Sequence, residues 1–174
     1  MTGPADRAGT SADPGHVLLG IYLNDHLAGA TGGLELARRT AGAHRGTGAA
    51  TTLTRLAKEI EEDREALLEI MSALDVPVRQ YKVASAWAAE KVGRLKLNGR
   101  LLDRSPLSSL VELEALRLGV EGKASLWRTL VLVAKNEQRL DSAPLDTLLY
   151  RASSQLETLE ALRMDASAEV FSPA

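Results

Sequence analysis

Apolar residues recur three and four positions apart over four long stretches of the chain, which is the period of an amphipathic α-helix. The predicted helices cover about 16–40, 51–74, 105–139 and 142–164. Asp13 can cap the first helix, and Pro14 then stands at its first position, where a missing N–H costs nothing. The pattern therefore predicts an all-α chain.

The remaining segments are assigned by their composition and by residues that end helices. Residues 1–15 are rich in Gly, Ala, Asp, Ser and Thr, which predicts a disordered tail. A short Ala-rich helix is predicted at about 78–97, and Asn98-Gly99 ends it. Residues 165–174 lose the helical period, so we expect them to fray. One domain, a bundle over 16–164, follows from this division.

The connections between the helices suggest how the bundle is arranged. Short loops join the first two long helices and the last two, so each pair is expected to run antiparallel. The intervening segment is long enough to cross the bundle, and it contains the short helix. The predicted fold is a four-helix bundle of two antiparallel hairpins with a crossover, and this layout resembles the ferritin-like superfamily over residues 16–164.

Membership of that superfamily would imply a di-iron site made of two Glu residues and two Glu-x-x-His motifs. The three histidines are His16, His26 and His44, and none follows a Glu by three residues. Instead, the candidate carboxylates continue as Glu-x-x-Glu, for example from Glu59 to Glu62. We therefore predict no di-iron centre, no metal site and no cofactor.

Composition narrows the classes of function further. The net charge is −2 and the two signs are interspersed, so the basic stripe of a nucleic-acid binder is absent. No uninterrupted apolar stretch of membrane-spanning length occurs, and no Lys/Arg-rich face favours a membrane surface. The chain has no cysteine, which excludes disulfides and thiolate chemistry. Because the N-terminus also lacks the apolar core of a signal peptide, we predict a cytoplasmic protein.

One set of positions in the 105–139 helix has the spacing of an inward-facing seam, yet four of its six residues are charged. The set is Leu110, Glu114, Arg117, Glu121, Ala124 and Arg128. We predict that Glu114 and Glu121 lie inside the bundle as a candidate binding cluster. There they would neutralise Arg117 and Arg64, which also falls in line with core positions of its own helix. The alternative is a solvated stripe of ion pairs, each contributing about 0.2–0.5 kcal/mol.

A secondary candidate lies in the first helix, where Tyr22 and His26 share a face at the edge of the apolar stripe. His26 is interpreted either as a hydrogen-bonded residue at the core edge or as a ligand. Gly29 and Gly33 lie on the same face and are costly in a helix. They are explained by close helix packing, by a slot for a flat ligand, or by a break in the helix.

Two hypotheses of function follow. The first is a non-catalytic helical bundle that works through protein association, with a homodimer as the expected oligomer. It rests on the 105–139 helix, which has apolar residues on two sides, and on Trp87, which lies opposite the core stripe of the short helix. The second is a ferritin-like protein that binds a metal or small ligand through a non-standard polar cluster.

Overall fold

The computed structural model describes residues 13–79 and 106–172, and these form four α-helices and no strand. The helices are α1 (Pro14–Ala43), α2 (Ala50–Ala73), α3 (Pro106–Ala134) and α4 (Ser142–Phe171). The all-α class and the four long helices are therefore confirmed. The predicted short helix at 78–97 and Trp87 lie outside the described residues, except that 78 and 79 are described and are not helical.

Local hydrogen bonds determine where the helices begin and end. The Asp13 side chain accepts a hydrogen bond from the Gly15 amide, which confirms the predicted cap of α1. Asp141 caps α4 in the same way by accepting from the Ala143 amide. After α2, Asp75 adopts a left-handed φ of 56°, and the following amide of Val76 donates to the Met71 carbonyl at 2.9 Å.

The core consists mainly of leucine, as the low aromatic content predicts. The predicted apolar stripe of α2 is buried at every position: Leu53, Leu56, Ile60, Leu67, Met71 and Leu74. The stripe of α4 contributes Leu145, Leu148, Ala152 and Leu159. Close packing joins α1 with α2, α3 with α4, and α1 with α3. The helical period was therefore sufficient to identify the buried faces of these helices.

The two apolar sides of α3 have different environments. Leu113, Val120 and Trp127 belong to the core, whereas Leu118 on the other side is 71% exposed. Leu107 is also exposed. The side of α3 that carries Leu107 and Leu118 therefore faces solvent, although α3 packs against both α1 and α4.

The structure tests two interpretations of the sequence, that α1 breaks at its glycines and that the chain frays after residue 164. The helix α1 is unbroken from Pro14 to Ala43, so the glycines at 29 and 33 do not interrupt it. A Cβ added at either glycine would meet no heavy atom within 4 Å, so close packing against a described neighbour does not explain them. The expectation that the chain frays from Asp165 is wrong, because α4 continues to Phe171 and buries Ala166.

Candidate functional site

A buried polar network lies where α2, α3 and α4 meet. Its centre is Asp63 of α2, whose side chain is 1% exposed. The other members are Glu59 and Glu62 of α2, Lys123 of α3, and Arg151 and Gln155 of α4. We call this set the Asp63 network. It brings three helices together through charged and amide side chains in a mainly apolar interior.

The α3 contribution to this network is the ammonium group of Lys123. It donates hydrogen bonds to Asp63 Oδ2 and, at 2.6 Å, to Gln155 Oε1. The Gln155 amide nitrogen in turn donates to Glu59 Oε2 at 3.1 Å and to Asp63 Oδ2 at 3.3 Å. Gln155 is therefore hydrogen-bonded at both ends of its amide, and both of its N–H donors are used.

Arg151 supplies the second cation. Its guanidinium donates to Glu62 Oε2 at 3.1 Å and forms a close ion pair with Asp63 Oδ1. That oxygen accepts no hydrogen bond of ordinary geometry, so the ion pair is its compensation within the described residues. Asp63 is thus neutralised from two helices at once, by Lys123 of α3 and by Arg151 of α4.

Burial sets the electrostatics of the network. Desolvation lowers the pKa of Lys123 below its ordinary value, and this outweighs the attraction of the Asp63 carboxylate, which raises it. Burying an ammonium group is costly even beside a carboxylate. Among residues 13–79 and 106–172, no three His, Cys, Asp or Glu side chains converge in a way suited to a metal ion.

The predicted interior cluster lies elsewhere. Glu114 and Glu121 are exposed, so the prediction that they lie inside the bundle is wrong. Arg117 pairs with Glu160 of α4 at 3.0 Å, and the two side chains are 41% and 42% exposed, respectively. Glu121 pairs with Arg128 on its own helix at 3.1 Å. This stripe lies at the edge of the buried face, where long charged side chains can turn towards water.

Arg64, the fourth predicted member, is separate from the other three. It is partly buried and donates from Nε to Thr31 Oγ1 of α1 at 3.1 Å. The structure therefore does not bring Arg64 together with the charged residues of α3. Whether any of the four residues binds a ligand stays a prediction.

The secondary candidates do lie together. The rings of Tyr22 and His26 pack edge to face with centroids 4.5 Å apart. Burial lowers the pKa of His26, and the neighbouring Asp25 offsets part of that shift. The Tyr22 hydroxyl lies 3.3 Å from Thr129 Oγ1 of α3. These contacts fit the interpretation of His26 as a residue at the core edge.

A second buried polar group, Asn24, fastens the chain after α2 to α1. Its amide nitrogen donates to the carbonyl of Gly20 at 2.8 Å and to that of Pro77 at 3.1 Å. Its side-chain oxygen accepts from the Arg79 amide at 2.7 Å. Nearby, His16 Nε2 is 2.9 Å from the Leu74 carbonyl. These bonds hold residues 76–79 beside the first turns of α1.

The sequence contains a signal for the Asp63 network. Three of its members interrupt apolar stripes at helical spacing: Asp63 between Ile60 and Leu67, Lys123 between Val120 and Trp127, and Gln155 between Ala152 and Leu159. Each polar residue lies three after one core residue and four before the next, a spacing that allows it to lie on the buried face.

Two further findings bear on the kind of protein this is. None of the described helices contains a segment apolar enough to traverse a lipid bilayer. Comparisons with models of protein families, with curated proteins and with solved structures found no match to this chain.

Proposed function

We propose that this protein is a non-catalytic helical bundle that works by associating with a second copy of itself. The observation that carries the proposal is a group of exposed aliphatic residues at the beginning of α1. Val17, Leu18, Ile21 and Val78 are 43%, 66%, 39% and 52% exposed, respectively. We call them the N-terminal patch. Contiguous exposed apolar residues on a small protein often mark an interaction site.

Tertiary contacts assemble this patch. Val17 and Leu18 lie four and three positions before Ile21, so the three side chains are neighbours on the α1 surface. Val78 joins them because Asn24 binds the backbone on both sides of it, at Pro77 and Arg79. The patch is thus held in place by buried hydrogen bonds, and little ordering entropy remains to oppose binding.

The chemistry of the surrounding surface favours a second copy as the occupant. A two-fold axis places a surface against itself, so a patch of one charge sign would repel its copy. Between Pro14 and Asn24, α1 contains no Asp, Glu, Lys or Arg, and neither do residues 76–78. The patch can therefore pair with itself without bringing like charges together.

The finer layout of the bundle belongs to the same proposal. We propose two antiparallel hairpins, α1–α2 and α3–α4, joined by a crossover as in the ferritin-like superfamily. The contacts His16–Leu74 and Arg38–Glu61 support opposite directions for α1 and α2. From the first contact to the second, the residue number rises along α1 and falls along α2. Arg117–Glu160 and Lys123–Gln155 support the same for α3 and α4.

A cytoplasmic location, without nucleic-acid or membrane partners, completes the proposal. It is supported by the interspersed charges and the absence of cysteine. The alternative of a ferritin-like ligand binder would centre on the Asp63 network. Because Lys123 and Arg151 both pair with Asp63, the carboxylate at the centre of the network, we favour association over ligand binding.

The test measures molar mass by size exclusion with light scattering at high micromolar protein concentration. We expect a dimer for the unaltered chain and a monomer for Leu18→Glu, because the added charge would face its own copy. Leu118→Glu is the matched control, since Leu118 is similarly exposed but lies on α3. It should remain dimeric.

Each other outcome counts against the proposal. A monomeric unaltered chain would exclude self-association. A monomer for Leu118→Glu with a dimer for Leu18→Glu would move the interface to the apolar side of α3. If both variants remain dimers, the N-terminal patch is not the contact surface. Circular dichroism of both variants should match that of the unaltered chain, because neither leucine belongs to the core.

A further inference from the structure

The four helices are not held together in the same way on every side of the bundle. Close packing joins α1 with α2, α1 with α3, and α3 with α4. By contrast, the contacts that connect α2 with α4 within the described residues are made by the long side chains of the Asp63 network. Arg151 reaches Glu62 and Asp63, and Gln155 reaches Glu59 and Asp63.

We propose that the Asp63 network is a latch that closes the α2–α4 side of the bundle, and that the bundle opens along this side before it unfolds as a whole. The latch depends on one carboxylate. Asp63 holds Arg151 and Gln155 of α4 and, through Lys123, α3 as well. Loss of its charge therefore releases all of these contacts together.

The opposite side of the bundle is built differently and acts as the hinge. There α1 meets α3 through Tyr22 and Thr129 near one end and through Thr40 and Glu112 near the other. Thr40 is fully buried and donates to Glu112 Oε2 at 3.3 Å. Opening at the latch would separate α2 from α4 while these contacts remain.

Electrostatics explain why the latch is the weaker side. The buried charges of the latch have lost their hydration in the closed state, and this desolvation cost offsets much of their mutual attraction. Burial already lowers the pKa of Lys123, which shows that its charged form is incompletely compensated in the closed state. Hydration of the network in an open state would relieve that cost.

The N-terminal patch is independent of the latch. Its members lie on α1 and on residues 76–78, which Asn24 fixes, and none of them contacts the Asp63 network. Opening therefore changes the exposure of the interior without dissolving the proposed dimer surface, and the two proposals are tested by different variants.

The experiment is hydrogen–deuterium exchange by mass spectrometry on the full chain, for Asp63→Asn and for Glu61→Gln. The first removes the central charge with little change of shape. The second is the matched control, because it removes a charge from the exposed Arg38–Glu61 pair that joins α1 to α2. We expect exchange in 56–63 and 151–159 to accelerate at least tenfold in Asp63→Asn only.

A second readout uses Trp127, which follows Lys123 by one turn and is 1% exposed. In a Trp87→Phe background its fluorescence should become more accessible to acrylamide in Asp63→Asn than in the control. The hinge amides of 20–26 and 126–132 should keep their slow exchange. That contrast distinguishes opening on one side from a general loss of stability.

Equal acceleration in all four helices would overturn the latch, and so would no acceleration in Asp63→Asn. If Asp63→Asn does not fold, Glu62→Gln decides the question, because it removes one partner of Arg151 and leaves Asp63 in place. Faster exchange confined to 56–63 and 151–159 then supports the latch. Uniform or unchanged exchange in that variant refutes it.

Discussion

The Asp63 network and the charged stripe on α3, formed by Glu114, Arg117, Glu121 and Arg128, both combine acidic and basic side chains but lie in different environments. Asp63 is almost fully buried and has partners on two other helices. Glu121 is 48% exposed and pairs within its own helix. We therefore expect the loss of one partner to cost far more at Asp63 than on the α3 stripe, because burial and not the ion-pair distance separates the two sites.

The largest effect is expected for Asp63→Ala. Removal of this carboxylate leaves Lys123, which is 13% exposed, without its anionic partner and takes one of two partners from Arg151, and breaking a buried pair costs about 3–5 kcal/mol. Chemical denaturation of the variant and the unaltered chain should show a loss of that size in the free energy of unfolding. A loss below about 1 kcal/mol would place the network with the ordinary surface pairs.

A smaller effect is expected for Gln155→Ala. The substitution removes an acceptor from Lys123 and a donor from Glu59, but leaves the central charge pairs intact. Buried groups that lose one hydrogen bond destabilise a protein by about 1–3 kcal/mol. Thermal and chemical denaturation should rank this variant between Asp63→Ala and the surface variants. A loss as large as that of Asp63→Ala would mean that the amide, and not the carboxylate, organises the network.

Little effect is expected for Glu114→Ala and Glu121→Ala on the α3 stripe. Both side chains are exposed, and exposed pairs contribute little once water and salt screen them. The free energy of unfolding should change by less than about 0.5 kcal/mol in each variant. A loss of several kcal/mol in either variant would restore the interior cluster that the sequence pattern predicted.

The smallest effect on stability concerns Glu137 and Arg139, both in the turn between α3 and α4. Hydrogen bonds from Arg139 lower the pKa of Glu137 from 4.5 to about 2. Because the folded pKa is the lower one, the pair favours the folded state above pH 4.5, and this contribution disappears as the pH falls from 4.5 towards 2. Since both groups are exposed, the change in stability should be small.

Carboxyl NMR titration of Glu137 measures this shift directly. We expect a midpoint near 2 in the unaltered chain and a return towards the ordinary value in Arg139→Gln. An unshifted midpoint in the unaltered chain would show that the pair does not form in solution. The contrast between Asp63 and this surface pair would then be a contrast of burial alone.

Local pattern was enough to predict the helices and most of the core. A period of three to four residues is a property of one helix, so Leu53, Leu67 and Leu159 could be assigned to the buried side without knowledge of any partner. The caps at Asp13 and Asp141 are equally local, because each side chain binds an amide two residues further on.

Which charged residue enters the interior was decided only by tertiary structure. Asp63 lies three residues after Ile60 and four before Leu67, whereas Arg64 lies four after and three before. Both spacings are helical, so the pattern alone allows either residue on the buried face. The two side chains differ by about 100° around α2. The partners on α3 and α4, Lys123 and Arg151, lie on the Asp63 side, whereas Thr31 of α1 receives Arg64. A charge can be buried only where an opposite charge from a distant part of the chain meets it, and no local pattern contains that information.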